Sequence, residues 1–337
     1  MHTFSNQHQP VAVIGGGSWA TAIIKILSDN HLQELLWWHR NQAAVDFINK
    51  LGHNPKYLSA VPIVLPAEHV SSDLNYVISK AQIIILAVPA AFLKSALASC
   101  TPATFRGKKV VSAIKGMIPG QNLLIAEYMQ KEFHLPIADF IVLTGPCHAE
   151  EVALEKLSYL TIAAADIANA ELFATHLNNR YIKTVISADV YGTEYSAVLK
   201  NVIAIASGIC HGLGYGDNFQ AVLVSNAIQE IRRFVDKAYP MERDINDSAY
   251  LGDLLVTAYS QFSRNRTFGA MLGKGYSVQS AQLEMNMIAE GFYAARAVFE
   301  LNKLLGVHMP ILNSVYRIMY DHALPAQEIE LLTTHLR

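Results

Sequence analysis

Short, almost uninterrupted apolar runs punctuate the first half of the chain: Val11–Ile14, Leu35–Trp38, Ile83–Val88, Lys109–Ala113, Phe140–Leu143, Tyr159–Ala163 and Ile182–Ile186. They are rich in Val and Ile and lack polar alternation, which predicts strands buried on both faces, as in a parallel sheet covered by helices. Segments of helical spacing lie between them, so residues 1–190 are expected to form a doubly wound α/β domain. After Tyr191 the strand signal disappears. Thr193–His211, Phe219–Ala238 and Ser280–Leu305 space their apolar residues at helical intervals, and residues 191–337 read as an all-helical second domain. The chain shows no internal repeat or low-complexity tract.

Composition narrows the function. A chain of 337 residues, 52% of them hydrophobic, exceeds what one core usually spans, in keeping with two domains. Its 26 basic residues nearly balance 28 acidic ones, so no global field favours nucleic acid or an anionic membrane. An anionic ligand must therefore be held locally. Cys100, Cys147 and Cys210 are few, odd in number and without metal-ligand spacing, which argues against a disulfide framework or a metal site and for a reducing cytoplasm. Met1–Pro10 carries no basic leader, and apolar stretches such as Ala81–Leu93 are too short to span a bilayer, so a soluble protein is expected.

The sharpest local signal is Gly15-Gly16-Gly17-Ser18-Trp19-Ala20, directly after the first apolar run and opening a helix. In such a turn Gly15 permits the bend, Gly17 lets a pyrophosphate approach the backbone, and the small Ala20 allows close helix packing. The helix N-terminus, beginning at Ser18 and Trp19, offers N–H groups to the phosphates. This is the fingerprint of a Rossmann-type dinucleotide site. The second run ends in His39 and Arg40, where an NAD-specific site usually has a carboxylate. Both residues suit a 2′-phosphate, so NADP is at least as acceptable as NAD; the alternative is a solvated strand end.

Further polar blocks stand far apart: Ile114-Lys115-Gly116, Leu143–Glu150, Leu199–Ala204, Leu251–Leu254, Ser263–Gly269 and Ala289-Glu290-Gly291. In order and spacing these resemble the bacterial NAD(P)-dependent glycerol-3-phosphate dehydrogenases over nearly the whole chain. The resemblance implies hydride exchange between NAD(P)(H) and a small phosphorylated substrate, interconverting sn-glycerol 3-phosphate and dihydroxyacetone phosphate and supplying the former for phospholipid synthesis. A homodimer is compatible with it.

Physical reading and resemblance run side by side for each site residue. Lys200 and Asn201 interrupt the apolar segment Ala197–Ile209, so Lys200 either faces a cleft or snorkels to solvent. A buried lysine loses basicity and becomes a usable proton donor near neutral pH; the resemblance makes Lys200 the general acid/base. Lys115, beyond the carboxyl end of the Lys109–Ala113 run, stands where open α/β sheets bind ligands, and matches a lysine touching substrate and cofactor. Asp253 reads as a first-turn helix carboxylate, or, by resemblance, as the group that orients the lysine or binds a substrate hydroxyl. Ser263, Arg264 and Asn265 offer a hydroxyl, a guanidinium and an amide suited to a phosphate monoester, unless they form only an exposed polar loop. By resemblance Arg264, Ala149, Ile288 and Glu290 contact the cofactor, and Gly145 and Cys147 the substrate.

Several positions depart from the family pattern: Cys147 replaces a common Ser or Thr, His211 a common Asp, Asn226-Ala227 a frequent Arg-Gly, and Ala20 the third glycine of the turn. A thiol nucleophile at Cys147 is disfavoured because the adjacent His148 points to the opposite face of an extended segment. A non-catalytic NAD(P)-binding protein has no need of Lys115, Lys200 and Asp253 together. A β-hydroxyacid or ketopantoate-type reductase would have no use for the Ser263–Arg266 block.

Overall fold

In the computed structural model, which describes residues 9–285 and 289–337, the first half forms one eight-stranded sheet. Its strands are β1 (Val11–Ile14), β2 (Leu35–Trp38), β3 (Val70–Ser71), β4 (Ile83–Leu86), β5 (Lys109–Ser112), β6 (Phe140–Thr144), β7 (Ser158–Ala164) and β8 (Ile182–Ser187). The spatial order is β3-β2-β1-β4-β5-β6-β7-β8. Chain order reverses between β1 and β4, which opens a crevice beyond their carboxyl ends, the ligand position of doubly wound sheets. Apolar side chains pack on both faces: Val11, Val13 and Trp37 on one, Ala12, Ile14 and Trp38 on the other.

All neighbouring strands pair in parallel except β6 and β7, which are antiparallel. The doubly wound, mostly parallel sheet follows the expectation, with one feature the apolar runs did not indicate: β7 and β8 run against the other six strands. An apolar run buried on both faces looks the same in either direction. The two-residue β3, pairing with Trp37 and Trp38, is too short to leave a periodic signal.

From Val190 onward the described residues contain helices without strands, and the last strand residue is Ser187. The helix Val190–Gly212 is buried along nearly its whole length, with Lys200 and Asn201 inside it. Burial all round is what its continuous apolar sequence requires. Helix Arg264–Gly273 lies directly against it: a Cβ on Gly208 would stand 2.1 Å from the Arg266 carbonyl oxygen, and one on Gly269 2.1 Å from that of Ile205. Such backbone approach is open only to glycine, and it brings Ser263–Asn265 to the cavity that Lys200 also lines. The expected helix over Ser280–Leu305 is two helices, Val278–Glu284 and Glu290–Leu305. Met285, packed against the helical core, and buried Ala289 carry the apolar period across the break.

Candidate active site

A cavity of about 1020 Å³ opens at the carboxyl edge of β1, β4, β5 and β6 and is closed on the other side by the helices that carry Lys200, Asp253 and Arg264. Its floor is the glycine turn. Gly15 has φ +143°, and a Cβ there would meet the Ala87 carbonyl oxygen at 2.4 Å, so the bend and the contact with the segment after β4 both demand glycine. A Cβ on Gly17 would meet nothing within 4 Å, leaving open space over the turn. Ser18 and Trp19 start the helix Ser18–Asp29 at the cavity wall, and the Trp19 indole N–H is buried without a protein partner. An open backbone cradle at a helix N-terminus, with an unpartnered donor beside it, fits a dinucleotide pyrophosphate.

At the outer end His39 packs its ring on Gly16, where a Cβ would lie 2.1 Å from Nε2. Burial lowers the imidazole pKa, and the Asn41 N–H donates to Nδ1 at 3.3 Å, so the neutral ring serves as packing. The positive charge at this end is carried by Arg40, whose guanidinium lies 5.9 Å from the Phe92 ring centroid.

At the inner end the two lysines share one carboxylate. Lys200 Nζ donates to Asp253 Oδ1 at 2.5 Å and to Thr257 Oγ1 at 2.8 Å; Lys115 Nζ donates to Asp253 Oδ2 at 3.0 Å and to the Gly145 carbonyl at 2.9 Å. Lys200 and Asp253 are almost wholly enclosed, while Lys115 remains partly open to the cavity. Burial, reinforced by the Lys115 charge, pushes Lys200 down to about 7 against the pull of Asp253. Burial would raise Asp253, but the two ammonium groups overcome it and hold the carboxyl below its usual range. The outcome is a fixed carboxylate facing a lysine poised to exchange a proton near neutrality.

Local folding explains the placement. A π-helical turn, Ser248–Gly252, leads into the helix Asp253–Tyr259 and puts Asp253 in its first turn, with Thr257 one turn later. Asp189 binds this turn to the start of the lysine-bearing helix: it caps Gly192 N–H at 2.8 Å and accepts from the Tyr250 hydroxyl at 2.5 Å and from Arg243 Nε at 2.7 Å.

Ser263 caps helix Arg264–Gly273 by accepting from Arg266 N–H at 3.2 Å, and Ser263, Arg264 and Asn265 all line the cavity. Asn265 is engaged more fully than expected of a substrate contact. Its Nδ2 donates to Asn201 Oδ1 at 2.9 Å and its Oδ1 accepts from Gly291 N–H at 2.9 Å, while Asn201 Nδ2 donates to the Lys115 carbonyl at 2.8 Å. One amide hydrogen of Asn265 is left for a ligand. Glu290 accepts from Ala90 N–H at 2.9 Å, faces Gly116, and is pushed up to about 7 by burial. Cys147 and Ala149 line the cavity, whereas Gly145, φ +112°, contributes its carbonyl to Lys115 without lining it. Ile288 lies outside the described residues.

Burial raises the Cys147 thiol to about 12 and lowers His148 to about 4, so the pair lacks the thiolate and imidazolium of a nucleophilic dyad. Asn226, held to the Arg337 backbone at 2.8 and 3.1 Å, and His211 do not line this cavity. Thr257, Asn201, Tyr57 and Phe92 belong to the site although the sequence reading assigned them no role. Two of them had a usable signal: Asn201 interrupts an apolar segment beside Lys200, and Thr257 stands one helical turn after Asp253. Among the described residues no three His, Cys, Asp or Glu side chains are grouped to hold a metal, and no helix is long and apolar enough to cross a membrane.

Comparison with known proteins gives this arrangement a family. Residues 10–170 match the model described as NAD-dependent glycerol-3-phosphate dehydrogenase N-terminus, and residues 189–330 the corresponding C-terminus. The chain belongs to the NAD-dependent glycerol-3-phosphate dehydrogenase family. It is 36% identical over 324 residues to a glycerol-3-phosphate dehydrogenase [NAD(P)+] of an Exiguobacterium species, covering 96% of this chain and 94% of that one. A Bacillus velezensis relative of the same description is 34% identical, with 92% and 90% covered. The crystal structure of glycerol-3-phosphate dehydrogenase from Coxiella burnetii superimposes with a TM-score of 0.89 at 27% identity, covering 96% of this chain and 98% of that one. As an NAD(P)-dependent oxidoreductase of this family, the dehydrogenase is neither the ketopantoate-type reductase nor the non-catalytic binder weighed from sequence.

Proposed function

We propose that the cleft reduces dihydroxyacetone phosphate to sn-glycerol 3-phosphate, and catalyses the reverse, with Lys200 as the proton-transfer group. The observation that carries this reading is the buried Lys115–Asp253–Lys200 cluster opening onto the cavity that also holds the glycine turn and Arg264. NAD(P)H, when bound, supplies the hydride. The protein supplies orientation and proton transfer. Lys200 Nζ gives its proton to the substrate oxygen as charge develops there, and takes it back in the oxidising direction. Lys115 adds positive potential at the same oxygen, and Asp253 fixes both ammonium groups. The first-turn N–H groups of helix Arg264–Gly273, the Ser263 hydroxyl, the Arg264 guanidinium and the remaining Asn265 hydrogen hold the phosphate.

In the same reading residues 1–190 carry the coenzyme and residues 191–337 the substrate. The three free cysteines suit a cytoplasmic location, and a homodimer is the assembly that the resemblance supports.

Phosphate reading is tested at Arg264. A hydrogen bond to a charged group contributes about 1.5–3 kcal/mol, roughly ten- to a hundredfold in kcat/KM. Neutral dihydroxyacetone should be a far poorer substrate than its phosphate, and Arg264→Ala should erase most of that ratio, with Arg264→Lys recovering part. Because Arg264 also stands near Glu290, NADH binding is measured separately by fluorescence titration. An unchanged ratio in Arg264→Ala would show that the phosphate is read elsewhere.

A further inference from the structure

Asn54 lies in the loop after helix Gln42–Leu51, outside every motif noted above, yet its side chain is wholly buried against the glycine turn. Its Nδ2 donates to the Gly16 carbonyl at 3.1 Å and to Thr21 Oγ1 at 2.8 Å. The Thr21 hydroxyl donates in turn to the Gly17 carbonyl at 3.0 Å. Its Oδ1 accepts from the N–H groups of Lys56 and Tyr57, both at 3.0 Å. The amide thus uses all four of its hydrogen-bonding capacities, and its orientation is unambiguous, because carbonyls can only accept and backbone N–H groups can only donate. Aspartate would lack the two donors and serine the reach.

Two consecutive peptides of the turn are therefore gripped by their carbonyls. The peptide bonds are trans, so the N–H groups of Gly17 and Ser18 point away from Asn54 and Thr21, and both residues line the cavity. This matters because glycine dihedrals are soft. A flip of the Gly16–Gly17 peptide would present a carbonyl oxygen where an anion needs an N–H. The same amide anchors the backbone of Tyr57, which also lines the cavity.

We propose that Asn54 is a positioning residue for the coenzyme. Through Gly16 and Thr21 it holds the Gly17 and Ser18 N–H groups toward the pyrophosphate, and through the Lys56 and Tyr57 N–H groups it ties the Tyr57 segment of the cavity lining to the same turn. The inference rests on the coenzyme binding at the glycine turn.

The test compares wild type, Asn54→Ala and Thr21→Val by NADH fluorescence titration, with ADP-ribose and adenosine as competitors. NADH and ADP-ribose should bind at least tenfold more weakly to Asn54→Ala and severalfold more weakly to Thr21→Val. Adenosine, which has no phosphate, should keep its affinity within twofold, and kcat and the KM for dihydroxyacetone phosphate at saturating coenzyme should stay near wild type. A merely structural role would weaken adenosine and ADP-ribose alike, and that result overturns the proposal, as does unchanged NADH affinity in both variants. If Asn54→Ala proves unfolded by circular dichroism, Thr21→Val decides by the same ADP-ribose-to-adenosine comparison, since valine keeps the threonine shape and removes only the hydroxyl. A wild-type protein that binds no NADH would instead overturn the coenzyme reading itself.

Discussion

Lys200, Asp253 and Lys115 act as one electrostatic unit, and the unit makes opposite predictions for the two charged neighbours of Lys200. Reduction draws a proton from Lys200, so its rate should fall as pH rises through about 7, while oxidation should fall as pH drops through the same region. The Asp253 carboxylate raises the Lys200 pKa and the Lys115 charge lowers it. Asp253→Asn should therefore shift both limbs of the residual activity to lower pH, and Lys115→Met should shift them to higher pH. Profiles of kcat against pH check this; shifts of the same sign in the two variants would contradict the assignment. Lys200 was legible in the sequence because a charge interrupting an apolar helix needs an explanation, and the glycine turn because its φ demands and its strand-to-helix context are local. Asn54 was not legible, and Thr257 only through its place one helical turn after Asp253. Their value lies in partners brought near by the fold, Lys200 at 57 positions' distance and Gly16 at 38.

The decisive contact between elements is the one between helices Val190–Gly212 and Arg264–Gly273. In an ordinary helix interior, glycine to alanine stabilises by about 1 kcal/mol. Gly269→Ala should do the reverse, losing roughly 1–3 kcal/mol by overpacking, because its methyl group would press on the Ile205 carbonyl. The variant should melt several degrees lower and lose kcat/KM for dihydroxyacetone phosphate as Ser263–Asn265 moves off Lys200; a raised melting temperature would show that the helices do not depend on this approach. At this scale the sequence announced element type well, since apolar runs and helical spacing are local. It did not announce the reversed direction of β7 and β8, the two-residue β3, or the break before Glu290, all of which are set by pairing and packing partners rather than by periodicity.

Across the whole molecule the cavity joins two chemically distinct ends, the Arg40 end beside the second strand and the lysine–aspartate end beneath the helices. The coenzyme end should discriminate through charge alone. Arg40→Asp should weaken NADPH use much more than NADH use, by repelling the 2′-phosphate, and kcat/KM measured with each coenzyme checks it; equal losses would remove Arg40 from the site. With His39 neutral and packed on Gly16, changing His39 to Gln should affect both coenzymes alike. The central claim is that this cleft transfers hydride to dihydroxyacetone phosphate with Lys200 supplying the proton. It is tested most directly by following nicotinamide absorbance with dihydroxyacetone phosphate, using NADH and NADPH separately, for wild type and Lys200→Met. Wild type should turn over with at least one coenzyme, and Lys200→Met should lose roughly 10² to 10⁴ in kcat while still binding coenzyme normally. Absence of wild-type turnover with either coenzyme, or a Lys200→Met enzyme of undiminished kcat, would contradict the account.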